Sequence, residues 1–314
     1  MSEITVMPLT TTIGARVDGV DLTRSLGGAA AQQIRDALTE HAVLTFSGQH
    51  MDLAQQQAFA GIFGERRNIL SHRLVGNHDT TVVLDNRLWQ IAASAQLPNR
   101  VNFSEEFKGW HTDSTYCPEI AWVTTLRAEL LPPVGGGTNW TSMAAAYDAL
   151  SPAMQAWLET LSAVHSSPRG QREVLKVDEQ LEHVREEWDR ELTARTHPVV
   201  IVHPISGRRV LFVNPGYTIK IHELSLAESA NLLRFLWGHC DHPDFIMRHR
   251  WSEGDVVVWD QLQTMHMAPS DYLPHERRVV RVTAGLARPT SVAENAAQRV
   301  VAEGERRQEV GAVG

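Results

Sequence analysis

Gly109-Trp110-His111-Thr112-Asp113 is the stretch on which the reading of this 314-residue chain turns. His111 and Asp113 are two positions apart. On an extended strand such positions share a face, so one imidazole and one carboxylate enter the same cavity. Further along, Trp259-Asp260-Gln261-Leu262-Gln263-Thr264-Met265-His266 places a second imidazole just after a strand-like run. A His-x-Asp pair is weak on its own. The chain has 15 histidines, and a hydrogen-bonded His–Asp pair is the plainer account of any one match. The surroundings have to decide.

Outward from that stretch, runs rich in Val, Ile and Thr predict strands over residues 42–46, 80–84, 122–126, 199–202, 210–213, 255–259 and 279–283. Helices announce themselves by their ends. Residues 29–41 carry Ile34 and Leu38 on one stripe. Asp52 caps a helix that stops at Gly64. Ser151-Pro152 opens another, and Ser225-x-x-Glu228 is a capping box before Leu232, Leu233 and Leu236. Strands and helices do not alternate, which disfavours a doubly wound parallel sheet. The expected fold is mainly β, largely antiparallel, with helices packed around it. Residues 1–289 are read as one domain and 290–314 as a tail, frayed or a peripheral helix. Two irregular or highly charged segments, 87–109 and 169–196, are candidate lids.

Composition narrows the function. Hydrophobic residues make up 43% and charged residues 21%, as in an ordinary globular protein. A net charge of −8 with a pI near 6.0 disfavours coating of nucleic acid or anionic membrane. No apolar run approaches a membrane span, and the first residues lack the pattern of a signal peptide. Two cysteines 123 positions apart, Cys117 and Cys240, make neither a disulfide framework nor a CxxC zinc site. They suit a reducing cytoplasm.

With His266 as third ligand, His111 and Asp113 would leave three metal positions open, the arrangement of non-haem Fe(II) oxygenases. The chain then reads on to Arg277-Arg278-Val279-Val280-Arg281. If this is a strand, Arg277 and Arg281 share one face and Arg278 looks the other way. Two inward guanidiniums call for anions, since no acidic residue is close in sequence on that face. Gly135-Gly136-Gly137 is a turn; it lacks the ending of a phosphate loop.

Taken together these landmarks resemble the TauD/TfdA family of Fe(II)- and 2-oxoglutarate-dependent dioxygenases. The resemblance runs from Ile13-Gly-Ala-Arg-Val-Asp-Gly-Val-Asp-Leu22 to about Pro289. It includes Trp110-His-Thr-Asp-Ser114, Gly135-Gly-Gly-Thr138, His197 to Gly207, Leu211-Phe-Val-Asn214, Trp259-Asp260 and His266 to Arg281, in family order. It implies a double-stranded β-helix, a jelly-roll relative. It implies Fe(II) on His111, Asp113 and His266, with 2-oxoglutarate and O2 as cosubstrates. The far carboxylate of 2-oxoglutarate would rest on Arg277, eleven residues after His266, and on Thr138. The reaction would hydroxylate a C–H bond and release succinate and CO2; the retained Asp113 favours hydroxylation over halogenation. The family's dimers and tetramers imply a homo-oligomer acting on a small molecule.

Arg281 occupies the position that holds the substrate's sulfonate in the family's taurine enzyme. A small anionic substrate is therefore expected: a sulfonate, sulfate ester, aryloxyalkanoate or natural-product intermediate. The pocket departs from the taurine pattern. The sulfonate-contacting His falls near Ile69, with only His72 close by, while Tyr217 and Ser114 add hydroxyls. A zinc hydrolase on the same ligands and a cupin-like binding protein are the alternatives; the Arg277/Thr138 clamp and the complete ligand set argue against them. The remaining histidines, including His197, His203 and the cluster at His239 and His242, are read as structural.

Overall fold

The structure, a computed structural model, describes residues 3–66, 81–85, 109–166 and 194–311. In chain order its strands are β1 (Thr5–Pro8), β2 (Ala15–Asp18), β3 (Val43–Phe46), β4 (Thr81–Asp85), β5 (Ile120–Leu130), β6 (Thr138–Ser142), β7 (Ser162–His165) and β8 (Arg195–Pro198). They continue with β9 (Val200–Val202), β10 (Arg209–Leu211), β11 (Thr218–Ile221), β12 (Ile246–His249), β13 (Val256–Asp260), β14 (Thr264–Met267) and β15 (Arg278–Ala287). The helices are α1 (Gly28–His41), α2 (Leu53–Ala60), α3 (Met143–Asp148), α4 (Pro152–Leu158), α5 (Leu226–Cys240) and α6 (Val292–Gly311).

Seven strands form the main sheet in the order β1-β2-β3-β13-β5-β15-β4. Its pairings are antiparallel except β2 with β3. Smaller sheets, β12-β6-β14, β11-β7-β8 and β10-β9, complete the jelly roll. The strand expected over 199–202 is β9, Val200–Val202, and pairs with β10; the preceding Arg195–Pro198, not expected as a strand, pairs with β7.

Every residue of β13 is buried, because the main sheet is covered on both faces. Val256 and Val258 pack with Ile34, Leu38, Phe59 and Phe63 of the helical layer. Val257 and Trp259 point the other way, against Trp140 of β6 and Met247 of β12. Each such side chain contributes about 1.5–3 kcal/mol. β15 follows the same period: Val282 and Ala284 join the helical layer, while Val279 enters the core between the sheets. Arg281 and Thr283 therefore share the inner face with Val279.

The helix ends match their sequence signals. Asp52 and Gln55 exchange capping hydrogen bonds at 2.8 Å, and Ser225 with Glu228 forms the second box. Ser151 caps α4 before Pro152. Ala42, left-handed at φ 62°, ends α1 and turns the chain into β3. The sequence patterns do not reveal α3, a six-residue helix with Met143, Ala144, Ala146 and Tyr147 all buried, which leaves it no polar face to give a period. Gln56 is buried and ties α2 to the sheet: its Nε2 donates to the Val280 carbonyl at 2.9 Å, and its Oε1 accepts from Arg127 Nε at 3.3 Å. No helix among the described residues is long and apolar enough to cross a membrane.

Replacing Leu236, fully buried on α5, with Ala should cost about 2–5 kcal/mol in urea unfolding. Ser225→Ala on the same helix should cost about 1 kcal/mol. A smaller loss for Leu236→Ala than for Ser225→Ala would contradict the core assignment of α5.

Candidate active site

His111 and His266 are brought together by the backbone itself. They form an isolated antiparallel bridge, with His111 N–H to His266 O at 3.0 Å and His266 N–H to His111 O at 2.8 Å. Thr112 Oγ1 donates to the Thr264 carbonyl at 2.7 Å and holds the two segments in register. The imidazole centroids lie 4.2 Å apart. Gly109 is required at the entry. Its φ is 100°, and a Cβ there would meet Met267 Cγ at 2.7 Å. The Gly109 carbonyl sits 2.8 Å from His111 Nδ1. A carbonyl only accepts, so Nδ1 carries the proton and Nε2 presents its lone pair to the cavity.

Asp113 completes the triad. Its Oδ1 lies 3.6 Å from His111 Nε2, and its Oδ2 lies 3.8 Å from His266 Nε2. The donor atoms of the three residues all fall within 4.8 Å of one another. Burial alone would raise the carboxyl pKa, but Arg281, then His266 and His111, hold it well below the usual carboxylate range. Burial, with His111 adding to it, lowers His266 to about 3. The cluster at neutral pH is thus an ionised carboxylate beside a neutral imidazole, the protonation states a divalent metal requires. Two nitrogens and one oxygen suit iron, among other transition metals.

The structure corrects the expectation for Arg281. An acidic partner is present: Arg281 Nη1 donates to Asp113 Oδ2 at 2.8 Å, across 168 positions of chain. Gln261 Nε2 donates to the same oxygen at 3.2 Å, and Trp259 Nε1 braces Gln261 Oε1 at 3.1 Å. Sequence patterns give no role to Gln261, because no spacing rule ties it to Asp113.

The second arginine has a different setting. Arg277 is buried just before β15; its Nε donates to the Gly136 carbonyl at 2.9 Å and its Nη2 to Thr138 Oγ1 at 3.3 Å. Trp251 Nε1 donates to the same hydroxyl at 3.0 Å. Gly136 is left-handed at φ 69°, and a Cβ there would press on Pro132 Cγ at 2.7 Å and Arg277 Cδ at 3.2 Å. Asp271 Oδ1 accepts from the Gly136 N–H at 2.8 Å. The glycine turn is therefore a pinned support for the guanidinium. Arg277, just before β15, and Arg281 within it are both buried, as the alternation of the chain along 277, 279 and 281 requires; the bulge in this pair lies on β5, where Glu129 is skipped opposite Arg278 and Val279.

Ser114 is buried and left-handed at φ 60°, and turns the chain sharply after Asp113. Tyr217 meets His111 edge-on at 6.1 Å and Tyr116 at 5.0 Å. Burial, with Tyr116 and Asp113 adding to it, raises the Tyr217 pKa, so its hydroxyl stays protonated. A polar network behind the site holds Tyr217 in place. Thr115 Oγ1 contacts His165 Nδ1 at 3.0 Å and accepts from Asn214 Nδ2 at 3.1 Å, while Asn214 Oδ1 accepts from the Tyr217 N–H at 2.8 Å. His72 and the segments 87–109 and 169–196 lie outside the described residues, apart from Gly109 and 194–196.

Three further histidines hold the scaffold. His203 Nε2 pairs with Asp260 Oδ2 at 2.8 Å, both side chains fully buried. His197 Nε2 donates to the Cys117 carbonyl at 3.0 Å, and His239 Nε2 to the Ala146 carbonyl at 2.7 Å. Both thiols are buried.

A jelly roll presenting two imidazoles and one carboxylate toward one cavity, with buried arginines alongside, defines a class of non-haem metal oxygenase. Residues 5–283 match the family described as taurine catabolism dioxygenase TauD, TfdA family. The chain is 35% identical over 286 residues to an alpha-ketoglutarate-dependent sulfate ester dioxygenase of Pseudomonas putida, covering 90% of this chain and 89% of that one. It is 32% identical over 285 residues to an alkylsulfatase of Acinetobacter baylyi, covering 90% and 84%. A solved taurine dioxygenase from Burkholderia xenovorans superposes with a TM-score of 0.75 at 32% identity, covering 93% of this chain and 92% of that chain. The chain belongs to the TauD/TfdA family and is a 2-oxoglutarate-dependent dioxygenase.

Gln261→Leu should weaken Mn(II) binding by about 10–100-fold, the usual loss when a ligand's supporting contact is removed. Calorimetric titration of metal-free protein checks this. Unchanged affinity would show that Asp113 is positioned without the Trp259–Gln261 contact.

Proposed function

We propose that the protein is an Fe(II)-dependent hydroxylase of small organic anions, with alkyl sulfate esters as the leading class. The observation that carries this is the close approach of His111, Asp113 and His266 donor atoms, with buried Arg281 on Asp113 and buried Arg277 on Thr138. The two similar proteins named for sulfate esters and alkyl sulfates support the substrate class.

In this reading His111 Nε2, His266 Nε2 and one oxygen of Asp113 hold Fe(II). Iron bound with 2-oxoglutarate and O2 supplies the oxidising power that breaks an unactivated C–H bond, with release of succinate and CO2. The chain supplies position and charge. Arg277, its fork preset by Gly136 and Thr138, receives the far carboxylate of 2-oxoglutarate. Arg binds a carboxylate through two parallel N–H groups, which also fixes its orientation. Arg281 receives the substrate's anionic group, with the Tyr217 and Ser114 hydroxyls beside it; His72 is a further candidate contact. For an ester R–CH2–OSO3−, hydroxylation at the CH2 gives a hemiacetal ester. That ester expels sulfate and leaves the aldehyde R–CHO. One oxygen atom of O2 enters the aldehyde and the other enters succinate. We place the enzyme in the cytoplasm as a homo-oligomer, dimer or tetramer; its two buried, unbridged cysteines suit that compartment.

The test is succinate formation by Fe(II)-loaded protein with 2-oxoglutarate and O2, against a panel of alkyl sulfates, sulfonates and aryloxy acids. Alkyl sulfates should stimulate turnover and release sulfate, and His111→Ala or Zn(II) loading should abolish it. Succinate without stimulation by any panel member would sink the anion reading and leave the oxygenase. Arg281→Leu should raise the KM for substrate by about 30-fold or more, the scale expected for a truncated buried charge contact, and leave that for 2-oxoglutarate nearly unchanged. Arg277→Leu should do the reverse. Equal effects on both KM values would reject the division of labour.

A further inference from the structure

The two oxygens of Asp113 are not equivalent. Oδ2 accepts from Arg281 Nη1 at 2.8 Å and from Gln261 Nε2 at 3.2 Å. Oδ1 faces His111 Nε2 at 3.6 Å. Its two supports also differ. Gln261 is neutral and braced by Trp259 at 3.1 Å. Arg281 is charged, sits on the inner face of β15, and is the residue assigned above to the substrate's anion.

We propose that Arg281 is shared between Asp113 and the substrate's anionic group, so that anion binding and metal binding strengthen each other. The proposal rests on the reading of Arg281 as the anion's anchor. Without an anion, the positive guanidinium is directed at Oδ2 and competes with a dication for the charge of the same carboxylate. An anion accepted on other N–H groups of the guanidinium, which has five in all, offsets that charge and draws the fork from Oδ2. The carboxylate's charge then becomes available to the metal. Gln261 stays in place and keeps the carboxylate plane, so Oδ1 stays turned toward His111 Nε2. Arg281 and Asp113 are both buried, so salt screens this coupling little. The coupling is reciprocal: the factor by which the anion tightens metal binding equals the factor by which metal tightens anion binding. The substrate's arrival is thereby registered at the metal ligands without the substrate touching them. Arg281 acts here as a positioning residue for Asp113 as well as an anchor.

The experiment titrates metal-free protein with Mn(II), read by calorimetry, with and without saturating hexyl sulfate; 1-hexanol is the uncharged control. Hexyl sulfate should tighten Mn(II) binding by about 10-fold, within the range usual for coupled sites, and hexanol should not. In Arg281→Gln, Mn(II) affinity without anion should rise toward the anion-bound value of the wild type, and hexyl sulfate should no longer change it. A purely structural role for Arg281 would instead lower the affinity in both conditions. Arg281→Lys keeps the charge and should retain part of the coupling, which covers the case in which the glutamine variant does not fold. If wild type binds hexyl sulfate but Mn(II) affinity does not change, the sharing is wrong and the anion site stands. If hexyl sulfate does not bind, both are overturned. Equal tightening in wild type and Arg281→Gln would overturn the assignment to Arg281.

Discussion

A carboxylate buried in the interior is the constraint on which the site depends. Asp113 is nearly inaccessible to water, and an uncompensated charge there would be prohibitive. Everything around it answers that requirement. Arg281 supplies the countercharge and Gln261 supplies a neutral hydrogen bond. The two imidazoles occupy the remaining approach. The same arrangement that makes the carboxylate tolerable in the fold also keeps it ionised, which is the state a metal needs.

The topology then brings the three candidate ligands together. The backbone bridge between His111 and His266 joins a segment that precedes β5 to one that follows β13, across about half the length of the chain. Because β13 and β15 are covered on both faces, their alternation has no freedom. Val257, Trp259, Val279 and Arg281 must face the second layer of sheet when Val256, Val258 and Val282 face the helices. Function enters the inner face as polar residues placed where a sheet protein would otherwise put aliphatics.

That placement explains what could be read in the sequence. α2, α4 and α5 carry side-chain caps and α1 an apolar stripe, and the main-sheet strands are runs of branched residues. β6 reads Thr-Asn-Trp-Thr-Ser, and β14 carries His266. Strands that line a polar site lose the apolar alternation by which strands are recognised. The close approach of His111, Asp113 and His266, and the placing of Arg277 beside Thr138, were legible through motif order. The partner of Arg281 and the role of Gln261 were not, since each acts on Asp113 across well over a hundred residues. Pairings at that separation are settled by sheet register, which local pattern does not encode.

β15 itself runs without an inserted residue, the bulge in its pairing being on β5 at Glu129. Arg277 stands just before the strand and Arg281 within it, and Gln56 ties the strand between them to α2 through the Val280 carbonyl. The strand cannot slide. A slip of one residue would turn both guanidiniums out of the interior together, so their spacing is locked to the sheet register and to nothing local.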